Sequence, residues 1–332
     1  MQKAPIDVLA MGAAIVDVLS NVEESLIESQ IVHGMRRGAM SLIDEARAVE
    51  LYALMPAALE TSGGSAGNTV AGLASFGGKG AFIGKTAKDQ LGDIFSHDLK
   101  SMGVEFTTQP IVVGAKTARC LILVTPDGER TMNTYLGASQ LLSVDDMDEA
   151  LIGSAAVTYM EGYLFDPANA KKAFHVAADM AHKAGRKVSI SLSDPFCVDR
   201  HREDFRNFVE NHTNILFANE NEIMSLYQTT SFEDAVEAIQ GVCDIAVLTR
   251  SDKGSVIVTP DNIIPIRAEP ITRLVDTTGA GDQYAAGFLY GYTHDMPLET
   301  CGRLGALAAA EVISHMGPRP MVSYAEFVKK AA

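Results

Sequence analysis

"VDTTGAGDQYAAGFLYG", residues 275–291, sets two aspartates around a Gly-Ala-Gly turn and then runs into an apolar segment of helical period. Glycines at 279 and 281 leave bare backbone at the mouth of a helix, where the first N–H groups lack intrahelical partners and the dipole favours negative charge. Two readings are open. In one, Gly279 and Gly281 make a tight turn and Asp282 complements the helix dipole. In the other, the amides of Gly279, Ala280, Gly281 and Asp282 hold an anion, phosphate above all. The stretch alone does not separate them.

The composition narrows the choice of partner. The chain has 332 residues, 47% hydrophobic and 21% charged, with no low-complexity tract, which describes an ordinary globular protein. Its formal charge of -15 argues against nucleic acid or an anionic membrane as partner, since both demand a basic surface. A small phosphorylated ligand needs only a local positive site. Cys120, Cys197, Cys243 and Cys301 form no C-x-x-C pair, so neither a zinc site nor a disulfide framework is indicated, and a reducing cytoplasm fits. The eight histidines show no metal-ligand spacing. Val8 to Leu19 lacks a basic leader, is too short to span a bilayer, and reads as a first buried strand.

From about residue 154 onward, short apolar runs alternate with helix-period segments, the pattern of βαβ units around a mostly parallel sheet. The expected strands are "AAVTYM" (155–160), "KVSISLS" (187–193), "NILFA" (214–218) and "IAVLT" (245–249), with a helix over "SFEDAVEAIQ" (231–240). Asp166 is placed to cap a helix whose Pro167 suits the first turn and whose Ala170, Phe174, Ala177 and Ala181 share a face. Segment 104–137 differs, because its two β-rich runs flank Pro126-Asp127-Gly128 and read as a hairpin. The expectation is one α/β domain over 1–332, with a small β lid, from about 18–40 and 104–137, inserted in it.

Two phosphate motifs are decoys. "GGKGAFIGKT" (77–86) ends like a P-loop, but the required leading glycine would fall at position 79, which is Lys79. Gly279 to Tyr284 would need a glycine at 284 to match the dinucleotide fingerprint. Asp282 is then the informative residue, since an aspartate among free N–H groups can act as a base while the amides hold a transferring phosphoryl group.

"DTTGAGD" (276–282), together with "GGSAGNT" (63–69), "GKTAKDQLG" (84–92), "NENE" (219–222) and "TRSDKG" (249–254), resembles the ribokinase-like, or PfkB, family of carbohydrate and nucleoside kinases. The matches run in family order from Gly12 to Pro320. The resemblance implies a mostly parallel sheet flanked by helices with a β lid, and ATP with Mg2+ as cofactors. It makes Asp282 the catalytic base and the amides of Gly279 to Asp282 the anion hole. Asp17 would hold two substrate hydroxyls, with Gly63, Gly64 and Asn68 in the loop closing around the sugar. Asn219 and Glu222 would stand near the triphosphate, Glu222 acting on the metal indirectly. Thr249 and Gly254 would flank the nucleotide, Arg130 would reach phosphate, and Asp276 and Thr278 fall where some members bind a monovalent cation such as K+.

Read without the resemblance, Asp17 can simply end a strand and Gly63-Gly64 make an ordinary turn. Glu222 can be an exposed helix acid, and Arg130 a solvated hairpin residue. Within the family, the long segment between Asp17 and Gly63, with "SLIDEARAVELYALM" (41–55), resembles adenosine kinases. So does "SISLSDPF" (189–196), although Asp194 replaces the expected alanine. Against this, "SHMGPRP" (314–320) looks like bacterial sugar kinases, and no tryptophan is present to stack a base. The resemblance therefore favours phosphorylation of a nucleoside, adenosine at its 5'-hydroxyl, by a monomer or homodimer. A kinase of ribose, fructose or 2-keto-3-deoxygluconate is the alternative.

Overall fold

The computed structural model describes residues 4–331. Among the described residues, fourteen strands form two sheets. The larger is built on β1 (Ile6–Met11), flanked by β5 (Gly80–Ile83) and β6 (Glu105–Phe106) on one side. On the other side lie β9 (Ala155–Glu161), β10 (Lys187–Ser191), β11 (Ile215–Asn219) and β12 (Ile245–Thr249), all parallel to β1. The antiparallel pair β13 (Ser255–Val258) and β14 (Ile263–Ile266) closes that edge. Both faces are covered: Leu9 and Met11 of β1 pack into one apolar core, and Val8 and Ala10 into the other. Continuous apolar runs such as "IAVLT" are the consequence of that double burial.

The second sheet has five strands in the order β3 (Met40–Leu42), β8 (Arg130–Tyr135), β7 (Ala118–Val124), β2 (Ile15–Asn21) and β4 (Leu59–Ser62). β7 and β8 form the hairpin, antiparallel from Arg119↔Tyr135 to Val124↔Arg130, with Gly128 in the left-handed region its turn needs. Alternation along β7 sends Leu121 and Leu123 into the core. Cys120, Ile122 and Val124 turn to the opposite face, beside Ile15, Leu19 and Met132.

Two local expectations fail for tertiary reasons. Val8 to Leu19 is not one strand but two, β1 and β2, in different sheets. The break at Gly12-Ala13-Ala14 is set from β9: Glu161 accepts a hydrogen bond from Ala13 N at 2.9 Å, and a Cβ on Gly12 would stand 2.3 Å from the same carboxylate. Asp166 does not cap the helix Ala168–Lys183; it pairs instead with Arg200 and His201 on the helix Pro195–His212.

Candidate active site

The carboxyl ends of β1, β9, β10, β11 and β12 open on a cavity of about 720 Å³. Ile15, Met40, Cys120, Ile122 and Met132 from the five-stranded sheet form its opposite wall. Ligands of open α/β sheets bind at this end of the strands. A second cavity of about 780 Å³, lined by Asp145, Asp146, Asp148 and Glu149, holds none of the motif residues.

The helix Ala280–Thr293 starts from Gly279, whose φ of 80° is left-handed. A Cβ there would also stand 2.7 Å from Pro318, so conformation and space both demand glycine. Gly281 opens on empty space, and Thr278 to Asp282 all line the cavity, so the first-turn amides are within reach of an anion. Asp282 Oδ1 accepts from Ser65 Oγ at 2.6 Å, and Oδ2 from Asn68 Nδ2 at 3.1 Å. Burial pushes Asp282 up to about 6, against the pull of those two bonds and of the Arg319 charge. Such a group is ionised near neutral pH and still basic enough to take a proton.

Asp17 projects into the cavity from β2, and its carboxylate makes no hydrogen bond among the described residues. Burial raises it to about 6, while Arg319 and Arg130 oppose the rise. Gly63 is required behind it, since a Cβ would lie 2.4 Å from Asp17 Oδ2. Gly64 has φ 81° and passes so near Ala13 that a Cβ would stand 2.5 Å from its carbonyl oxygen. The bare turn thus places a free acceptor carboxylate beside the N-terminus of the helix Ser65–Ser75.

At the other end of the cavity Asn219 caps the helix Glu220–Tyr227. Asn219 N donates to Glu222 Oε2 at 2.9 Å, and Asn219 Nδ2 to Glu222 Oε1 at 2.6 Å. Glu222 is therefore no exposed helix acid: it is buried and pushed up to about 7 by that burial. Thr249 ends β12 at the cavity wall. Gly254 lies outside the wall, in the turn after β12, with φ 86° and Ile266 O only 2.1 Å from where a Cβ would be.

Arg130 is not solvated. Its Nη1 meets Asp276 Oδ2 at 2.6 Å and Thr278 Oγ1 at 3.5 Å, while Nε and Nη2 are buried without partners among the described residues. Asp276 Oδ1 accepts from Thr278 N and Oγ1, and Oδ2 from Gly317 N. Burial works against ionisation of Asp276, but these donors and Arg130 outweigh it and hold the carboxyl below its ordinary range. A monovalent cation at Asp276 and Thr278 would compete with Arg130 for the same oxygens.

Several residues of the site carry no motif that singles them out. Ser65 lies inside "GGSAGNT" but is one serine among small residues. Glu161, the acid that ends β9, accepts from Ala13 N and Ala66 N and is raised by burial to about 7; an acid closing an apolar strand is its only signal. Tyr163 and Phe196 line the cavity with 42% and 72% of their surface exposed, and periodicity does not mark them.

Among the described residues, no group of three or more His, Cys, Asp or Glu converges to hold a metal ion. Magnesium keeps several waters and arrives bound to phosphates rather than in an all-protein cage. With both oxygens engaged by Asn219, Glu222 can hold such an ion through water.

A helix mouth of uncovered amides with an ionisable carboxylate beside it, at the carboxyl ends of a parallel sheet, is the arrangement of phosphotransferases that use an alcohol group as acceptor, and the family confirms this class. The chain belongs to the pfkB family of carbohydrate kinases, whose model matches residues 40–323. It is 49% identical, with a TM-score of 0.90 over 99% of both chains, to the crystal structure of a "probable sugar kinase protein" from Rhizobium etli CFN 42. It is 48% identical, again with a TM-score of 0.90, to adenosine kinase from Sinorhizobium meliloti, over 99% of this chain and 100% of that one. Adenosine kinase of Saccharomyces cerevisiae is 26% identical over 280 residues, 80% of this chain and 81% of that protein. The fold is thus ribokinase-like. Among the described residues no helix is long and apolar enough to cross a membrane.

Proposed function

We propose that this kinase transfers the γ-phosphoryl group of ATP to the 5'-hydroxyl of a nucleoside, adenosine giving AMP. The observation that carries this reading is the cavity wall. Its lining includes the apolar Leu42, Ile122, Met132 and Leu136 together with the exposed aromatics Tyr163 and Phe196. Flat exposed aromatics inside a cavity match the π-face of a base, which offers them a larger stacked area than the small C–H face of a free sugar. The likeness to the Sinorhizobium meliloti adenosine kinase supports the same reading. The equal likeness to the Rhizobium etli protein keeps a free-sugar kinase as the alternative.

In the proposed reaction Asp17 accepts hydrogen bonds from two substrate hydroxyls, with Gly64 and Asn68 closing the loop around them. Asp282 takes the proton of the attacking hydroxyl. The new bond forms from that oxygen to the γ-phosphorus, and the bond to the bridging oxygen of ADP breaks. The amides of Gly279 to Asp282 hold the transferring group, where preorganised donors are worth most. A magnesium ion held through water at Glu222 would neutralise triphosphate charge. Asn219 and Thr249 line the nucleotide end, and Arg130, off the cavity wall, sets its positive charge behind the turn through Asp276 and Thr278. The five-stranded sheet acts as the lid that excludes water from the transfer.

The test is ATP-dependent phosphorylation of adenosine, inosine, guanosine, ribose, fructose and 2-keto-3-deoxygluconate side by side. Adenosine should exceed every free sugar in kcat/KM by orders of magnitude, because losing the base forfeits both apolar burial and directed hydrogen bonds. Preference for a free sugar rejects the nucleoside reading and leaves the roles of Asp282 and its turn intact.

A further inference from the structure

Gly317-Pro318-Arg319, beyond the last long helix, passes directly behind the catalytic turn. Gly317 N donates to Asp276 at 2.9 Å, and Pro318 fills the space a Cβ at Gly279 would need. Gln283, next to Asp282, donates through Nε2 to Pro318 O at 2.9 Å and to Asn68 O at 3.0 Å. This fastens Arg319 in place. Its Nε donates to Asn68 Oδ1 at 3.2 Å and its Nη1 to Met102 Sδ at 3.6 Å, while Nη2 is buried without a partner among the described residues. Arg319 is not on the cavity wall. A buried guanidinium without a direct carboxylate partner is costly, and its position calls for a reason.

The reason lies in the direction of the Asn68 amide. A guanidinium only donates and a carboxylate only accepts, and Asn68 bridges the two. Its Oδ1 therefore faces Arg319, and its Nδ2 faces Asp282 Oδ2 at 3.1 Å. The flipped amide would set NH2 against guanidinium and carbonyl against carboxylate. We propose that Arg319 is a positioning residue, locking the Asn68 amide toward Asp282 and placing one buried positive charge behind a turn crowded with acids. The proposal rests on the reading of Asp282 as the base.

The charges around it point the same way. Asp282 is faced by Asp17 from β2, Tyr159 and Glu161 from β9, Tyr163 just beyond, and Glu222. Arg319 is faced by Asp17, Asp98 and Asp282, and burial lowers it only to about 10, so it stays charged at neutral pH. Arg130 is the other cation near Asp17.

The experiment is the rate–pH profile of the parent, Arg319→Gln and Arg319→Lys, with Asp282→Asn alongside. Removing the positive charge makes Asp282 harder to ionise, so the acid limb of kcat in Arg319→Gln moves up by about one pH unit. Its kcat recovers toward the parental plateau at alkaline pH, with KM for ATP little changed. Arg319→Lys, which keeps the charge, holds the limb where the parent has it. An Arg319→Gln profile that is lower at every pH with its limb unmoved assigns Arg319 to folding and overturns the proposal. Should Arg319→Gln not fold, the Lys variant decides, and a limb displaced by a full unit there overturns it. Turnover of Asp282→Asn like that of the parent sinks the base reading itself, independently of Arg319.

Discussion

Arg130 Nη1 lies 2.6 Å from Asp276 Oδ2, tying the hairpin strand β8 to the loop that enters the Gly279–Asp282 turn. The side chains are 9% and 7% exposed, so this is a buried pair and not a surface one. Breaking such a pair by removing one partner leaves an uncompensated charge, which is the expensive outcome.

The pair also bears on monovalent cations. With Arg130 already opposite Asp276, replacing KCl by choline chloride at equal ionic strength should change kcat of the parent little. Arg130→Met leaves the Asp276 carboxylate uncompensated and should make the rate respond to K+. Strong activation of the parent by K+ would show that the ion and Arg130 do not compete.

Asp282→Asn should bind ATP nearly as the parent does, by calorimetry, yet lose at least the ~10²-fold contributed by a general base. The base works deprotonated and burial raises it to about 6, so kcat should fall as pH drops through that value and level off above it. Turnover of Asp282→Asn within about threefold of the parent, far short of the ~10²-fold a general base contributes, rules the assignment out.

Much of this site is legible in the sequence because its geometry needs special residues. Gly64 and Gly279 take left-handed conformations against neighbours that leave no room for a Cβ, and only glycine meets both demands. Asn219 and Glu222 advertise their capping box by spacing alone. What is not legible is set by distant chain. The break between β1 and β2 depends on Glu161, whose contact with Ala13 spans 148 positions, so an apolar run from Val8 to Leu19 reads as unbroken. Asp166 has the composition of a cap, but Arg200 and His201 claim it. Arg319 sits in a loop whose sequence says nothing of Asn68, 251 positions away.

Glu161 also predicts how stability varies with pH. Its ordinary value of 4.5 is raised by burial to about 7 in the folded protein. Between those values the native state keeps a proton that the unfolded chain gives up, so stability is full below the lower value and declines as pH rises through the higher. Tm should therefore fall between pH 4.5 and about pH 7, and Glu161→Gln should flatten the fall. A slope unchanged in the variant would assign the dependence to Asp17, Glu222 or Asp282, which burial raises in the same direction.

Asp17→Ala separates substrate from nucleotide. Two hydroxyls left without their acceptor in a closed site cost about 1–3 kcal/mol or more each. KM for the acceptor substrate should rise strongly while KM for ATP stays near the parent's. Equal effects on both would mark Asp17 as structural, which its bare contact with Gly63 permits.

The two aromatics on the cavity wall give the sharpest prediction, because they distinguish the base from the sugar within one variant. Phe196 and Tyr163 are exposed in the cavity, so truncating them removes little core packing and leaves the fold nearly as stable. If the base stacks there, Phe196→Ala or Tyr163→Ala should each cost about 1–3 kcal/mol, roughly tenfold to a hundredfold in kcat/KM for adenosine. Ribose would reach Asp17 and Asp282 but not the aromatics, so its low kcat/KM should hardly change. The variants would thus narrow the preference for nucleoside over sugar without touching the chemistry at Asp282. A parallel loss for both acceptors would instead mean that the aromatics shape the site as a whole, and the base would have to be sought elsewhere along the cavity.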